Sequence, residues 1–100
     1  MKRIMLACAS GMSTSLLVEK MKEASKTYDE EYVIWAVALE TIQEEIGNFD
    51  VLLLGPQISI YKDRIEKIVA GAAPIAVIKP SDYGRCNGKA VLKQAIEMLK

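Results

Sequence analysis

The chain contains no histidine. That removes the usual proton shuttle at neutral pH and the commonest metal ligand. A Cys-His nucleophilic pair within this chain is excluded, and so is any zinc site that uses imidazole. The two isolated cysteines, Cys8 and Cys86, with scattered carboxylates make a poor zinc set, so neither a metal nor a cofactor is expected. Two cysteines also make no disulfide framework, and in a reducing compartment they stay thiols. An excess of either charge is missing as well. Thirteen basic and thirteen acidic residues give a formal net charge of +0, whereas a nucleic-acid binder needs a basic face. No apolar run approaches the roughly 18 residues of a membrane span. The apolar run after Met1-Lys2-Arg3 is too short for a signal peptide, which points to a cytoplasmic protein. Linkers, repeats and low-complexity tracts are absent too, and 100 residues suffice for one domain, 1–100, and not for two.

What is there alternates between strand-like and helix-like segments. Residues 3–8 form a brief apolar run. From Ser13 the period changes, and Leu17, Met21, Ala24 and Tyr28 fall on one helical face, with Ser13 as the first choice of N-cap and Thr14 or Ser15 as others. Residues 31–38, rich in Tyr, Val, Ile and Trp, read as a second strand. Thr41-Ile42-Gln43-Glu44 fits a capping box that opens a short helix ended by Gly47. Asp50 to Leu54 is continuously apolar after its first residue and closes on Gly55-Pro56, as expected of a strand buried on both faces. Tyr61, Ile65 and Ile68 mark a third helix ended by Gly71. Pro74 to Ile78 reads as an edge strand, Lys79 to Cys86 as a loop, and Leu92, Ala95, Ile96 and Leu99 as a last amphipathic helix.

This βαβαβαβα order predicts an α/β fold: a three-layer αβα arrangement around a four-stranded parallel sheet, strand order 2-1-3-4, flavodoxin-like or phosphatase-like. In that order the switch point lies between strands 1 and 3. The end of strand 1 at Cys8 and the turn at Gly55-Pro56-Gln57 then share one edge with the later loop that carries Asp82, Tyr83 and Gly84.

Cys8-Ala9-Ser10-Gly11-Met12-Ser13-Thr14-Ser15 occupies that switch point. A nucleophile at a strand end, a small hydroxyl-rich turn and a helix N-terminus make an anion pocket, because the unpaired N–H groups of the first helical turn and the helix dipole favour negative charge there. Gly11 lets the backbone approach a phosphate, Ser10, Ser13, Thr14 and Ser15 offer hydroxyls, and the amides of residues 9–15 form the nest. Met12 reads as an outward apolar contact for a partner. Cys8 is therefore expected to take up a phosphoryl group, with residues 9–15 as its phosphate-binding cradle. Gln57 is either a donor to the pocket or a helix-start residue. Tyr83 is a loop anchor or partner contact. Cys86 reads as inert filler that could lie near Cys8. The anion chemistry alone leaves hydrolysis and transfer both open.

The run from Cys8 to Val18, together with Leu53-Leu54-Gly55-Pro56-Gln57-Ile58 and with Tyr83-Gly84, Gly88 and Val91-Leu92-Lys93, resembles the enzyme IIB component of the sugar phosphotransferase system, in its lactose/cellobiose/chitobiose class. The resemblance implies a phosphotransferase component in which Cys8 becomes a phosphocysteine. The donor would be a phosphohistidine of enzyme IIA. The acceptor would be a sugar, a β-disaccharide such as cellobiose or chitobiose, held by membrane enzyme IIC. The protein would then be a monomer in the cytoplasm, visiting the inner face of the membrane. A donor imidazole on another protein also accounts for a chain without histidine. The loop is similar, too, to that of low-molecular-weight tyrosine phosphatases, but Thr14 stands where their phosphate-gripping arginine belongs. Ser81-Asp82-Tyr83 likewise puts the acid one place too close to the tyrosine. Poor hydrolysis follows, which suits a carrier. A non-catalytic anion-sensing domain is the third reading, and it would tolerate loss of Cys8.

Overall fold

The central strand β1, Lys2–Cys8, has Ile4 through Cys8 fully buried. Burial on both faces is why this segment reads as an unbroken apolar run. The structure, a computed structural model, describes residues 1–9 and 12–99, and of Met12 and Ser13 only the backbone. The expectations placed on Ser10 and Gly11 therefore lie outside the described residues. On one side β1 pairs in parallel with β2, Tyr32–Ala38, in a register that sets Cys8 opposite Ala38. On the other it pairs with β3, Val51–Leu54, with Ala7 opposite Leu54. β3 in turn pairs with β4, Ile75–Val77. The order is β2-β1-β3-β4, all parallel, the expected flavodoxin-like arrangement.

Period-two alternation assigns the two faces of the sheet. Ile4, Leu6, Val51 and Leu53 pack with Leu17, Val18 and Met21 of α1, Met12–Ser25, and with Val91, Leu92 and Ala95 of α4, Gly88–Met98. Met5, Ala7, Leu52 and Leu54 face the other way. They pack with Ile42 of a 3-10 helix, Leu39–Glu45, with Ile58 of a second 3-10 segment, Pro56–Tyr61, and with Ile65 and Val69 of α2, Lys62–Val69. Between α1 and α4 the backbones nearly touch. A Cβ built on Gly88 would stand 2.4 Å from the Lys20 carbonyl carbon and 2.6 Å from the Met21 nitrogen. Asn87 caps α4 by accepting the Ala90 N–H at 3.2 Å.

Several local expectations are corrected. Helix α1 starts at Met12, so Ser13 lies inside it rather than capping it, and Tyr28 lies beyond its end, edge-on to Tyr32. The Thr41–Glu44 capping box does not form. The segment winds as a 3-10 helix from Leu39, and the Thr41 hydroxyl donates back to the Ala38 carbonyl at 2.8 Å. Three residues per turn bring Thr41 directly over Ala38, which makes that bond the local one. α2 is terminated by Ala70 in the left-handed region (φ 53°), one residue before Gly71. The stretch expected as a loop from Lys79 to Cys86 contains a short helix α3, Pro80–Gly84, with proline at its first position, where a missing N–H costs nothing.

β4 is an edge strand, as its leading proline suggested. The Pro74 carbonyl accepts from Leu52 N–H, and Ile78 N–H donates to Leu54. By the alternation of a parallel ladder the Val77 carbonyl then points away from β3. The Gln94 side-chain amide of α4 donates to it at 3.2 Å.

At the amino ends of the strands Asp50 accepts from the Arg3 backbone N–H at 2.7 Å and from its guanidinium at 3.0 and 3.3 Å. The Arg3 side chain, and then its backbone N–H, hold the Asp50 carboxyl below the usual carboxylate range. In an unfolded chain the same carboxyl titrates near its ordinary value of about 3.9. The stabilisation is therefore complete above that value and is lost as pH falls through the lowered one. Asp50→Asn is expected to lower Tm at pH 7, with the gap to wild type closing below about pH 4. Thermal melts of both proteins across this range check it, and a gap independent of pH would refute the charge argument.

Candidate functional site

β1 delivers Cys8 at the carboxyl end of the sheet, and four residues later α1 begins. Cys8 is buried, Ala9 is exposed, and neither Cys8 nor Cys86 is in a disulfide. The first turn of α1 holds no acidic residue. The dipole of α1 therefore favours negative charge at this end of the helix, with no acidic side chain in that turn to offset it. Among the described residues no cluster of His, Cys, Asp or Glu could hold a metal ion.

The Gly55-Pro56-Gln57 turn lies against the cysteine. Gly55 N–H extends the ladder by donating to Ala7 at 2.8 Å. A Cβ at Gly55 would be 3.5 Å from the Cys8 Cβ and 2.9 Å from Gln57 Oε1. The Gln57 side-chain oxygen thus lies over Gly55, while its backbone falls in the first turn of the 3-10 segment, as expected of a helix-start residue. Pro56 opens the 3-10 segment that carries the chain away from this edge.

Thr14 is the one buried polar side chain among the described residues, at 0% exposure. Its hydroxyl is hydrogen-bonded to the hydroxyl of Tyr83 at 3.2 Å. Tyr83 comes from α3, and its ring packs on the core under α1 and α4. The structure therefore brings Tyr83 to the first turn of α1 through Thr14. Ser15, the next residue, is exposed. The sequence carried a signal for this link that went unread. Thr14, Leu17, Val18 and Met21 share the i, i+3, i+4, i+7 stripe of α1. A hydroxyl on a buried stripe must find a partner.

Asp82 and Tyr83 diverge from the same helix. Asp82 borders a shallow hollow with Lys79, Lys93 and Gln94 on the flank of α4. Cys86, half-buried and at φ 51°, sits beside Lys20, Glu23 and Ala24. That is about 10 Å along α1 from its first turn at 1.5 Å per residue. The expectation that Cys86 could lie near Cys8 is not met. A more enclosed groove of about 180 Å³ lies between Leu39–Gln43 and Tyr61–Ile68 on the other side of the sheet, and it does not include Cys8. Two exposed apolar side chains flank the cysteine's edge: Leu16 on α1, and Ile60 in the 3-10 segment after Pro56. No helix among the described residues is long and apolar enough to cross a membrane.

Known proteins share this arrangement. The sequence model of the lactose/cellobiose-specific IIB subunits of the phosphotransferase system matches residues 3–94. The chain is 42% identical over 100 residues to the oligo-beta-mannoside-specific EIIB component of Bacillus subtilis (strain 168), covering 99% of this chain and 97% of that protein. It is 40% identical over 104 residues to the galactose-specific EIIB component of Lactococcus lactis subsp. cremoris (strain MG1363), covering 98% and 96%. The solution structure of a cellobiose-specific phosphotransferase IIB component from Borrelia burgdorferi superposes with a TM-score of 0.80 at 38% identity, covering 98% of this chain and 91% of that one. Sequence and fold agree over nearly the whole length, and this chain belongs to the lactose/cellobiose-specific IIB subunits, the phosphotransferase components of sugar transport.

Proposed function

We propose that residues 1–100 act as one carrier domain in which Cys8 holds a phosphoryl group between two partners. The observation that carries this reading is the placement of Cys8: it ends the central strand, next to the N-terminus of α1 and against the Gly55 turn. The Cys8 sulfur attacks the phosphorus of a phosphohistidine on enzyme IIA. The S–P bond forms as the N–P bond breaks in line, and the departing imidazole takes up the proton that the sulfur loses. In the second step a hydroxyl of the sugar held by membrane enzyme IIC attacks the same phosphorus, the S–P bond breaks, and the sulfur regains a proton. Catalysis is positioning plus electrostatic stabilisation of the transferring group. The amides of residues 9–15 supply the donors, with the hydroxyls of Ser10, Ser13 and Ser15, and Gln57 stands at the rim. Leu16 and Ile60 offer apolar contact to the partners. Such contacts suit a small, transient interface that a monomeric carrier must form and leave.

Hydrolysis is disfavoured by two observations. Thr14 replaces the arginine that would grip phosphate bidentately, and it is buried and turned to Tyr83. Asp82, one place too close to Tyr83 for the phosphatase acid, borders a hollow on the flank of α4. The sugar is a β-disaccharide such as cellobiose or chitobiose. Relatives of nearly equal similarity are named for a mannoside and for galactose, which suits a scheme in which the membrane component makes the finer choice of sugar. The carrier works in the cytoplasm and meets that component at the inner face of the membrane.

Incubation of the wild-type protein with phosphorylated enzyme IIA tests this reading. One phosphate per chain is expected, acid-stable and iodine-sensitive, with a thiophosphate resonance in the phosphorus NMR spectrum. A phosphate on Ser10 or Cys86, or turnover of an aryl phosphate that needs both Cys8 and Asp82, would overturn it.

A further inference from the structure

The Tyr83–Thr14 hydrogen bond joins α3, which follows β4, to the first turn of α1, which follows β1. These elements are 69 positions apart in sequence. The shared sheet edge and this bond bring them together at the end of the sheet where Cys8 lies. Thr14 is sealed from water, so its hydroxyl must be satisfied inside the protein, and a buried hydroxyl without a partner is costly. The ring of Tyr83 is held by the core under α1 and α4. Its backbone is fixed at both ends as well: Tyr83 N–H donates to Lys79, and its carbonyl accepts from Cys86 N–H. The phenol is therefore a rigid post, and Thr14 is the point at which the first turn of α1 is tied to it.

We propose that Tyr83 is a positioning residue for the phosphoryl cradle: through Thr14 it fixes the first turn of α1, so that the N–H groups of that turn converge on a phosphoryl group carried by Cys8. The inference rests on the carrier reading given above. A phosphoryl group gains most from amides that already point at it, because they need no reorganisation when charge arrives. Without the phenolic hydroxyl, Thr14 must seek another acceptor or donor, and the turn that carries it shifts with it. Donors that hold the dianionic form of a thiophosphate lower its second ionisation, so a loosened cradle raises it.

Tyr83→Phe keeps the ring and removes the hydroxyl that meets Thr14. With phosphorylated enzyme IIA as donor, phosphorylation of Cys8 is expected to slow by about tenfold in the maximal rate, a cost near that of one hydrogen bond to a charged group, with the donor concentration for half-maximal rate unchanged. The midpoint of the phosphorus chemical-shift titration of the phosphoprotein is expected to rise by about half a pH unit. Thr14→Val should reproduce both effects, Thr14→Ser should restore wild-type behaviour because it keeps the hydroxyl, and the double variant Tyr83→Phe/Thr14→Val should be no worse than either single one. If Tyr83→Phe does not fold, the comparison of Thr14→Val with Thr14→Ser carries the test. An unchanged titration midpoint and rate, or single effects that add in the double variant, would overturn the proposal and leave Tyr83 as core packing. Failure of the wild-type protein to accept phosphate is a separate result: it removes the carrier reading and this proposal with it.

Discussion

Cys8→Ser is expected to abolish acceptance of phosphate from enzyme IIA, lowering the rate by at least about a thousandfold. The loss is chemical. Serine fits the site, which is buried beside Ala38 and the Gly55 turn. A serine hydroxyl is a weak nucleophile unless a general base takes its proton, and this chain has no histidine to serve. In the proposed transfer the sulfur suffices because a thiol is intrinsically a far better nucleophile than a hydroxyl. Cys8→Ala should lose the same activity, with Tm close to wild type for both variants. Cys86→Ser should leave labelling intact, since Cys86 lies well along α1 from the cradle, beside Lys20 and Glu23. Quantitative labelling with donor, followed by mass determination of the intact protein, checks all three. A serine variant that accepts phosphate would show that the reacting atom lies elsewhere, and sugar uptake retained by Cys8→Ala would favour an anion-sensing domain.

Gly88→Ala carries the largest expected loss of stability. The added methyl would come within 2.4 Å of the Lys20 carbonyl carbon and 2.6 Å of the Lys20 Cβ and the Met21 nitrogen. Two of these three are main-chain atoms of α1. They cannot step aside like the tip of a flexible side chain, so α4 and α1 must separate. Overpacking of this kind costs about 3 kcal/mol, against which alanine returns about 1 kcal/mol of helix propensity. A net loss of about 2 kcal/mol lowers Tm by about 10 °C in a chain of this size. Gly84→Ala is the control, because nothing stands within 4 Å of its added methyl, and its Tm should stay close to wild type. Thermal melts decide the matter; equal Tm for the two variants would show that α1 and α4 can part without loss. Separation should also be felt at Cys8, because Lys20 and Met21 belong to the helix whose first turn is proposed as part of the cradle. Slower labelling of Gly88→Ala than of Gly84→Ala is therefore expected.

The parts of this fold that could be read from sequence are those in which one rule acts alone. Val51–Leu54 is buried on both faces, so its run of apolar residues has a single interpretation. Cys8, the small residues after it and the helix pattern beyond likewise point to one end of one sheet. The missed features are those in which two demands meet. Thr41 and Glu44 have the spacing of a capping box, but a 3-10 helix had already begun at Leu39, and the threonine turned back to Ala38. Pro80–Gly84 is five residues long, too short for any period to emerge, and only the proline at its first position marked it. Thr14 was read as one more hydroxyl for the phosphate. Its place on the stripe with Leu17, Val18 and Met21 makes it a core residue whose polar group needs a protein partner. That partner, Tyr83, is visible only in three dimensions.

The Gln94–Val77 bond has a consequence for how this molecule behaves in a crowd. An exposed sheet edge is an invitation to any other extended chain, because its free amides and carbonyls template another strand. At β4 the invitation is withdrawn. The strand is three residues long, a proline precedes it, and the outward carbonyl of Val77 is already occupied by a helix side chain. No continuous row of donors and acceptors remains there for a stranger to zip onto. A carrier of the kind proposed must be sociable at one spot and inert elsewhere. Here the ends of the strands are left to make acquaintances, while the flank at β4 is closed to them.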